Sequence, residues 1–80
     1  MKDRLEELRQ RIMEVDEELV DLIGERKSLV VEIGEIKNEL GLPVLDPARE
    51  AAVVRRAASL ARDHDLDEEL IRDVIWRIIA

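Results

Sequence analysis

The chain has 80 residues, of which 41% are charged and 46% are hydrophobic, and its net charge is −7. One aromatic residue and no cysteine argue against a β-sandwich and exclude disulfides, zinc–thiolate sites and thiol nucleophiles. The acidic balance argues against nucleic acid as a partner. The charged N-terminus does not fit a signal peptide and no apolar run is long enough to cross a membrane. We therefore expect a cytoplasmic protein with no membrane partner.

A long first helix is predicted over about residues 3–40, because apolar side chains recur at alternating steps of three and four. Arg26 occupies one position of this heptad seam. Gly41 is the expected left-handed C-cap, and Pro43 follows it. The apolar members of the seam are Leu5, Leu8, Ile12, Val15, Leu19, Leu22, Leu29, Ile33, Ile36 and Leu40.

Two shorter helices are predicted over about residues 47–62 and 67–80. Asp46 followed by Pro47 reads as an N-cap and a first helical residue, and Asp67 is the expected N-cap of the third helix. Together the elements predict one all-α domain over residues 1–80.

The first helix carries its apolar seam along its whole length, and the two shorter helices cannot cover all of it. A chain of this size commonly solves that problem by forming a dimer with two-fold symmetry. A parallel coiled coil with a loose tail is the alternative. The capping signals of the second and third helices argue against it.

Three cations lie on or beside the buried side of the first helix: Arg9, Arg26 and Lys37. Arg9 and Arg26 are about 25 Å apart along the axis, so they cannot meet within one chain. In an antiparallel pair of helices, Arg9 of one copy approaches Arg26 and Lys37 of the other. That would form a cationic pocket suited to a small ligand with more than one carboxylate.

The alternative is that Arg26 sets the helix register by pairing with a glutamate of the same protein, with Arg9 and Lys37 as ordinary surface residues. The pattern alone favours this alternative. The candidate glutamates are Glu25, Glu32 and Glu35.

These residues, with their spacings, resemble the helical class of chorismate mutases. The segments that carry the resemblance are Leu8-Arg9-Gln10-Arg11-Ile12, Val15-Asp16, Glu25-Arg26, Gly34-Glu35-Ile36-Lys37 and Pro43-Val44-Leu45-Asp46-Pro47-Ala48-Arg49-Glu50. The resemblance implies three helices in an intertwined homodimer, whose two active sites each use residues of both chains.

The resemblance also implies roles for the three cations of the first helix. Arg9 would reach into the partner's site and hold a carboxylate of the substrate, while Arg26 would hold a carboxylate in its own chain's site. Lys37 would contact a carboxylate and the ether oxygen of the breaking bond.

Further roles are implied at the start of the second helix. Glu50 would accept a hydrogen bond from the ring hydroxyl, helped by the backbone near Asp46, and Arg49 would support substrate binding. By this resemblance, the implied catalytic residues are Arg26, Lys37 and Glu50, and the implied substrate-binding residues are Arg9, Asp46 and Arg49.

The implied reaction is the rearrangement of chorismate to prephenate, a step towards phenylalanine and tyrosine. It is unimolecular and pericyclic, so the expected enzyme needs neither a metal nor a cofactor. In the family, the third helix continues beyond the position of Ala80 and carries a Gln or Glu that contacts the ether oxygen. A chain that ends at Ala80 is therefore expected to have impaired activity.

Two other functions stay open from the sequence. One is an isochorismate–pyruvate lyase of the same fold, although the Asp46–Glu50 connector fits the mutases better. The other is a non-catalytic helical module for dimerisation or regulation that lacks the end of the third helix.

Overall fold

The computed structural model describes residues 1–79, and these form three helices and no strand. Helix α1 is Lys2–Leu40, α2 is Pro47–Asp63 and α3 is Glu68–Ile79. The all-α prediction is confirmed. The predicted end of the third helix, at Ala80, lies outside the described residues. The chain divides into two compact units, one containing α1 and the other, which starts at Pro43, containing α2 and α3.

Helix α1 has 39 residues, which makes it about 58 Å long. It ends in a Schellman motif, in which the N–H of Leu42 donates to the carbonyl of Lys37 at 2.8 Å and that of Gly41 donates to Asn38 at 3.2 Å. Gly41 has φ 68°, a left-handed conformation that glycine adopts without a steric penalty. The predicted C-cap is therefore confirmed, and its cause is local.

The apolar seam of α1 lies exposed in the single chain. Its aliphatic side chains keep between 44% and 67% of their surface open to solvent, and no residue of α1 is buried. Soluble monomers rarely leave a contiguous apolar surface of this extent uncovered.

One flank of α1, about 110° round the helix from the middle of the seam, carries a row of carboxylates that we call the acidic ridge. Its residues occupy two neighbouring heptad positions and are all exposed. They are Glu7, Glu14, Glu18, Asp21, Glu25, Glu32, Glu35 and Glu39. The helix thus separates an apolar side from a strongly acidic one.

Helices α2 and α3 form a hairpin with its own caps. The Asp67 carboxylate accepts a hydrogen bond from the Glu69 N–H at 2.9 Å, which confirms Asp67 as the N-cap. Between the helices, Leu66 N–H donates to the Ala61 carbonyl at 2.8 Å in a second Schellman motif. Here Asp65, at φ 56°, takes the left-handed position. This turn sets the angle at which α3 leaves α2.

The hairpin buries a small core of alanines, Ala57, Ala58 and Ala61, which lie on one face of α2. Alanine allows a neighbouring helix backbone to come close, and the half-buried side of α3 carries Ile71 and Ile75. The core is therefore thin, and it belongs to the hairpin alone.

An ion cluster joins the two helices of the hairpin across the turn. The Glu68 carboxylate pairs with the guanidinium of Arg62 on α2 and, at 3.9 Å, with that of Arg72 on α3. Exposed pairs of this kind contribute little individually, but they fix the same turn that the Schellman motif defines.

Candidate active site

The three cations predicted to bind substrate lie far apart along α1. Arg9 and Arg26 are separated by about 26 Å of helix axis, and Arg26 and Lys37 by about 17 Å. A single straight helix cannot bring their side chains to one small molecule. In one chain, the three cations thus share helix α1 but do not form one binding site.

Arg26 and Lys37 differ from the rest of α1 in their burial. Both residues are half-buried, whereas every other residue of this helix except Gly34 is exposed. The side chain of Arg26 makes no hydrogen bond or ion pair with any residue in the range 1–79. Its guanidinium is thus held on the apolar side of the helix without a counter-charge from its own chain.

The sequence of α1 explains why Arg26 has no partner in its own chain. Residues three and four positions away on a helix are the ones that a side chain can reach, and here they are Leu22, Ile23, Leu29 and Val30. No pair with Glu25, Glu32 or Glu35 forms. Within the described chain, the register alternative for Arg26 therefore lacks its glutamate.

Arg9 is exposed and lies 3.8 Å from the Glu6 carboxylate. Exposed pairs at this spacing are weak and reversible, so the guanidinium of Arg9 can leave Glu6 and bind a stronger anionic partner at little cost in free energy.

The remaining candidates share the first turn of α2. The Asp46 carboxylate accepts a hydrogen bond from the Arg49 N–H at 3.0 Å, and the Asp46 carbonyl accepts one from the Glu50 N–H at 3.0 Å. Glu50 is half-buried and Arg49 is exposed. The helix cap therefore positions both side chains, and the carboxylate of Asp46 is engaged in that structural task.

Asp16 is a charged residue to which the sequence analysis assigns no role. It lies on the same flank of α1 as Arg9 and Lys37, and its carboxylate makes no hydrogen bond or ion pair within residues 1–79. The signal that singles it out is the same as for Arg26. Its reachable neighbours are all apolar: Ile12, Met13, Leu19 and Val20.

Residues 1–79 contain neither a membrane-spanning helix nor a cluster of metal-binding side chains. None of the helices described is both long and apolar enough to cross a membrane. No group of three His, Asp or Glu side chains in that range is placed to hold a metal ion.

Comparisons with known proteins identify the family. The family model for chorismate mutase type II matches residues 8–80. A protein of Methanocaldococcus jannaschii named chorismate mutase is 41% identical over 70 residues, which cover 88% of this chain and 71% of that protein. No solved structure matches the chain at a significant level.

Two further relatives cover 99% of this chain. The 4-amino-4-deoxychorismate mutase of Streptomyces venezuelae is 36% identical over 79 residues, or 77% of its own length. The T-protein of Enterobacter agglomerans is 38% identical over 79 residues, but the chain spans only 21% of that longer protein. The lyase and the non-catalytic alternative are not favoured by these matches. The family model covers nearly the whole chain, and with it the three helices and the cations of α1, so the chain belongs to the chorismate mutase type II family.

Proposed function

We propose that this chain converts chorismate to prephenate as a homodimer in which each of two active sites draws on both copies. The observation that carries the proposal is the half-buried side chain of Arg26, whose guanidinium has no partner in the described part of its own chain, in a member of a mutase family. An uncompensated charge in such a place needs an anion. A dicarboxylate substrate supplies one.

The heptad seam supports a specific antiparallel register for the dimer. If facing residue numbers add up to 41, Leu5 meets Ile36 of the second copy, and each further seam position up to residue 36 also meets a seam position. Leu40 then faces Met1. The two-fold axis would pass between Leu19 and Leu22 of both copies.

The positions of the cations support the same register independently. Residue 9 of one copy lies opposite residue 32 of the other, between Arg26 and Lys37. Arg9 is then about 9 Å from Arg26 and about 8 Å from Lys37 along the axis, within reach of long side chains that share one ligand. A register shifted by one heptad in either direction loses this convergence, and the shift to facing numbers that add up to 48 also leaves Leu5 facing the connector.

The apolar surface of α1 is wider than a two-stranded coiled coil requires. Beside the seam, Ile23 and Val30 are also exposed in the single chain, and Val20 and Val31 add exposed apolar surface further round the helix. This extra surface favours an intertwined dimer, in which shorter helices also pack on α1, over two bare helices.

The chemistry suits the residues present. The rearrangement breaks a C–O bond and forms a C–C bond within one molecule, so it needs no nucleophile and no proton transfer. The protein has to hold a flexible dianion in its reactive shape and place positive charge at the ether oxygen. Arg9 and Arg26 would bind the carboxylates, and Lys37 would stabilise the oxygen.

We assign supporting roles to the first turn of α2. Glu50 would accept a hydrogen bond from the ring hydroxyl, Arg49 would add to substrate binding, and Asp46 would contribute through the cap that fixes both. The domain over residues 1–80 would act as one catalytic unit.

The first test follows the loss of chorismate by absorbance. Arg26→Ala and Lys37→Ala are each expected to lower kcat/KM by about a hundredfold or more, because each removes a charge aimed at the reacting dianion. Lys27→Ala is the matched control, an exposed cation on the same helix. Equal effects at Lys27 and Arg26 would contradict the assignment.

The same assay separates two substrates. A relative is named for 4-amino-4-deoxychorismate, so that compound is tested beside chorismate. We expect chorismate to be the better substrate. A higher kcat/KM for the amino compound would reassign the specificity while leaving the site in place.

The shared site has its own test. Arg9→Ala and Arg26→Ala homodimers are each expected to be nearly inactive, but mixing them creates heterodimers in which one site has both arginines. Roughly a quarter of the wild-type activity should return after exchange of subunits at equal concentrations. Absence of any recovery, with exchange verified, would refute a site shared between copies.

A further inference from the structure

We infer that Asp16 of one copy pairs with Arg26 of the other and is a positioning residue for that arginine. The inference rests on the proposed homodimer and concerns a residue outside the substrate-binding set. It starts from two isolated charges on the apolar side of one helix, neither of which has a partner within residues 1–79. Each has only apolar neighbours at the spacings its side chain can reach.

The antiparallel register brings these two charges together. With facing numbers that add up to 41, the residue opposite Arg26 is Val15, and Asp16 is offset by one residue, about 1.5 Å of axis. An antiparallel pair also places like flanks of the two helices side by side. Asp16 stands about 40° round the helix from the line of Arg26, so it faces Arg26 on the flank that both share.

Other carboxylates of the second copy are less well placed. Glu14 and Glu17 lie at a similar height, but they project from the side of α1 that faces away from the seam. Glu18 projects from the opposite flank. Among the carboxylates of α1, Asp16 is therefore the one that this register presents to Arg26.

The pair would solve a physical problem of the empty site. A half-buried guanidinium without an anion is costly, and the Asp16 carboxylate would compensate it until substrate arrives. A guanidinium has five N–H donors on its edges, so one edge can hold Asp16 while another binds a substrate carboxylate. The charges of Arg9, Arg26 and Lys37, less that of Asp16, leave two positive charges for a dianion.

The first experiment compares Asp16→Asn, Asp16→Glu and wild type, with dimerisation checked by sedimentation. Asp16→Asn should remain dimeric and lose about ten- to a hundredfold in kcat/KM, mainly through KM, because Arg26 is no longer held in place for the carboxylate. Asp16→Glu, which keeps the charge, should recover most of this loss. A dimeric Asp16→Asn variant with wild-type KM and kcat would overturn the inference.

The second experiment asks whether the pair forms between copies. Asp16→Asn homodimers are mixed with Arg26→Ala homodimers, so that each heterodimer has one site in which both residues are intact. Activity should rise to roughly a quarter of wild type, well above either parent. If Asp16 acted on Arg26 of its own chain, or only stabilised α1, the mixture would not exceed the average of its parents.

The two experiments also separate this inference from the proposed function. An inactive wild-type dimer would contradict the enzyme assignment, whereas an active wild type with an unaffected Asp16→Asn variant would contradict the pair alone.

Discussion

The two units of the chain differ in how they acquire stability. The α2–α3 hairpin buries three alanines and holds its turn with a Schellman motif, an N-cap and an ion cluster. Helix α1 is more than twice as long as either of its neighbours and buries none of its residues. An isolated helix in water draws little stability from hydrogen bonds alone, and most helices depend on packing of an apolar face. The hairpin is thus organised by local contacts, whereas α1 exposes an apolar seam that the proposed dimer would cover.

The largest expected effect comes from a charge at the proposed two-fold axis. Leu19→Lys should convert the dimer to monomers and lower kcat/KM by at least about a hundredfold, because it places two ammonium groups close together and separates the halves of each site. Sedimentation equilibrium and the chorismate assay measure both effects. Asp21→Lys, on the acidic ridge of the same turn, should leave the dimer intact. Dimeric, active Leu19→Lys protein would mean that the helices meet elsewhere.

A smaller effect is expected from overfilling the hairpin core. Ala61 is 1% exposed, so Ala61→Leu should lower the free energy of unfolding by about 1–3 kcal/mol. Urea unfolding at a fixed protein concentration measures the change. Ala51→Leu, on the exposed side of the same helix, serves as the control and should be close to neutral. Equal losses at the two positions would show that the alanine face is not where the hairpin packs.

Loss of the α3 cap should cost less. Asp67→Ala removes the acceptor for the Glu69 N–H and should destabilise the protein by about 1 kcal/mol. The exposed Asp73→Ala, in the middle of α3, should change the unfolding free energy by less than about 0.5 kcal/mol. A loss at Asp73 as large as that at Asp67 would assign the effect to net charge.

The smallest effect sharpens the comparison within α1. A methyl group added at Gly24 meets no atom within 4 Å in the single chain, so Gly24→Ala should stabilise the helix by about 0.5–1 kcal/mol. The matched change Gly41→Ala should destabilise, since Gly41 is left-handed. Thermal unfolding at one concentration distinguishes the two signs. A loss at Gly24 would reveal a close neighbour there in the dimer.

Much of the fold follows from local signals in the sequence. The helix boundaries follow the predicted caps, because a cap depends on a few adjacent residues. The starts of α2 and α3 are capped by Asp46 and Asp67, and α1 ends at Gly41. The second helix, predicted to end at about residue 62, extends to Asp63. The left-handed residue that follows it is Asp65, and an aspartate in a turn predicts that conformation less strongly than a glycine does.

The candidate site divides in the same way. The grouping of Asp46, Arg49 and Glu50 in one turn could be predicted, because it depends on adjacent positions. The proposed meeting of Arg9, Arg26 and Lys37 could not be derived from local rules, since it would require a second molecule. Its trace in the sequence is indirect: charged side chains whose helical neighbours are all apolar.

The acidic ridge has a consequence for how many copies can associate. In the proposed dimer the two seams would cover each other while the acidic ridges stay exposed, so an additional chain would meet like charge along much of α1. Repulsion of this kind opposes growth into fibres, and it weakens at high ionic strength or in acid. In this proposal, the apolar seam of α1 favours association of two chains, and the acidic ridge of the same helix opposes the binding of a third chain.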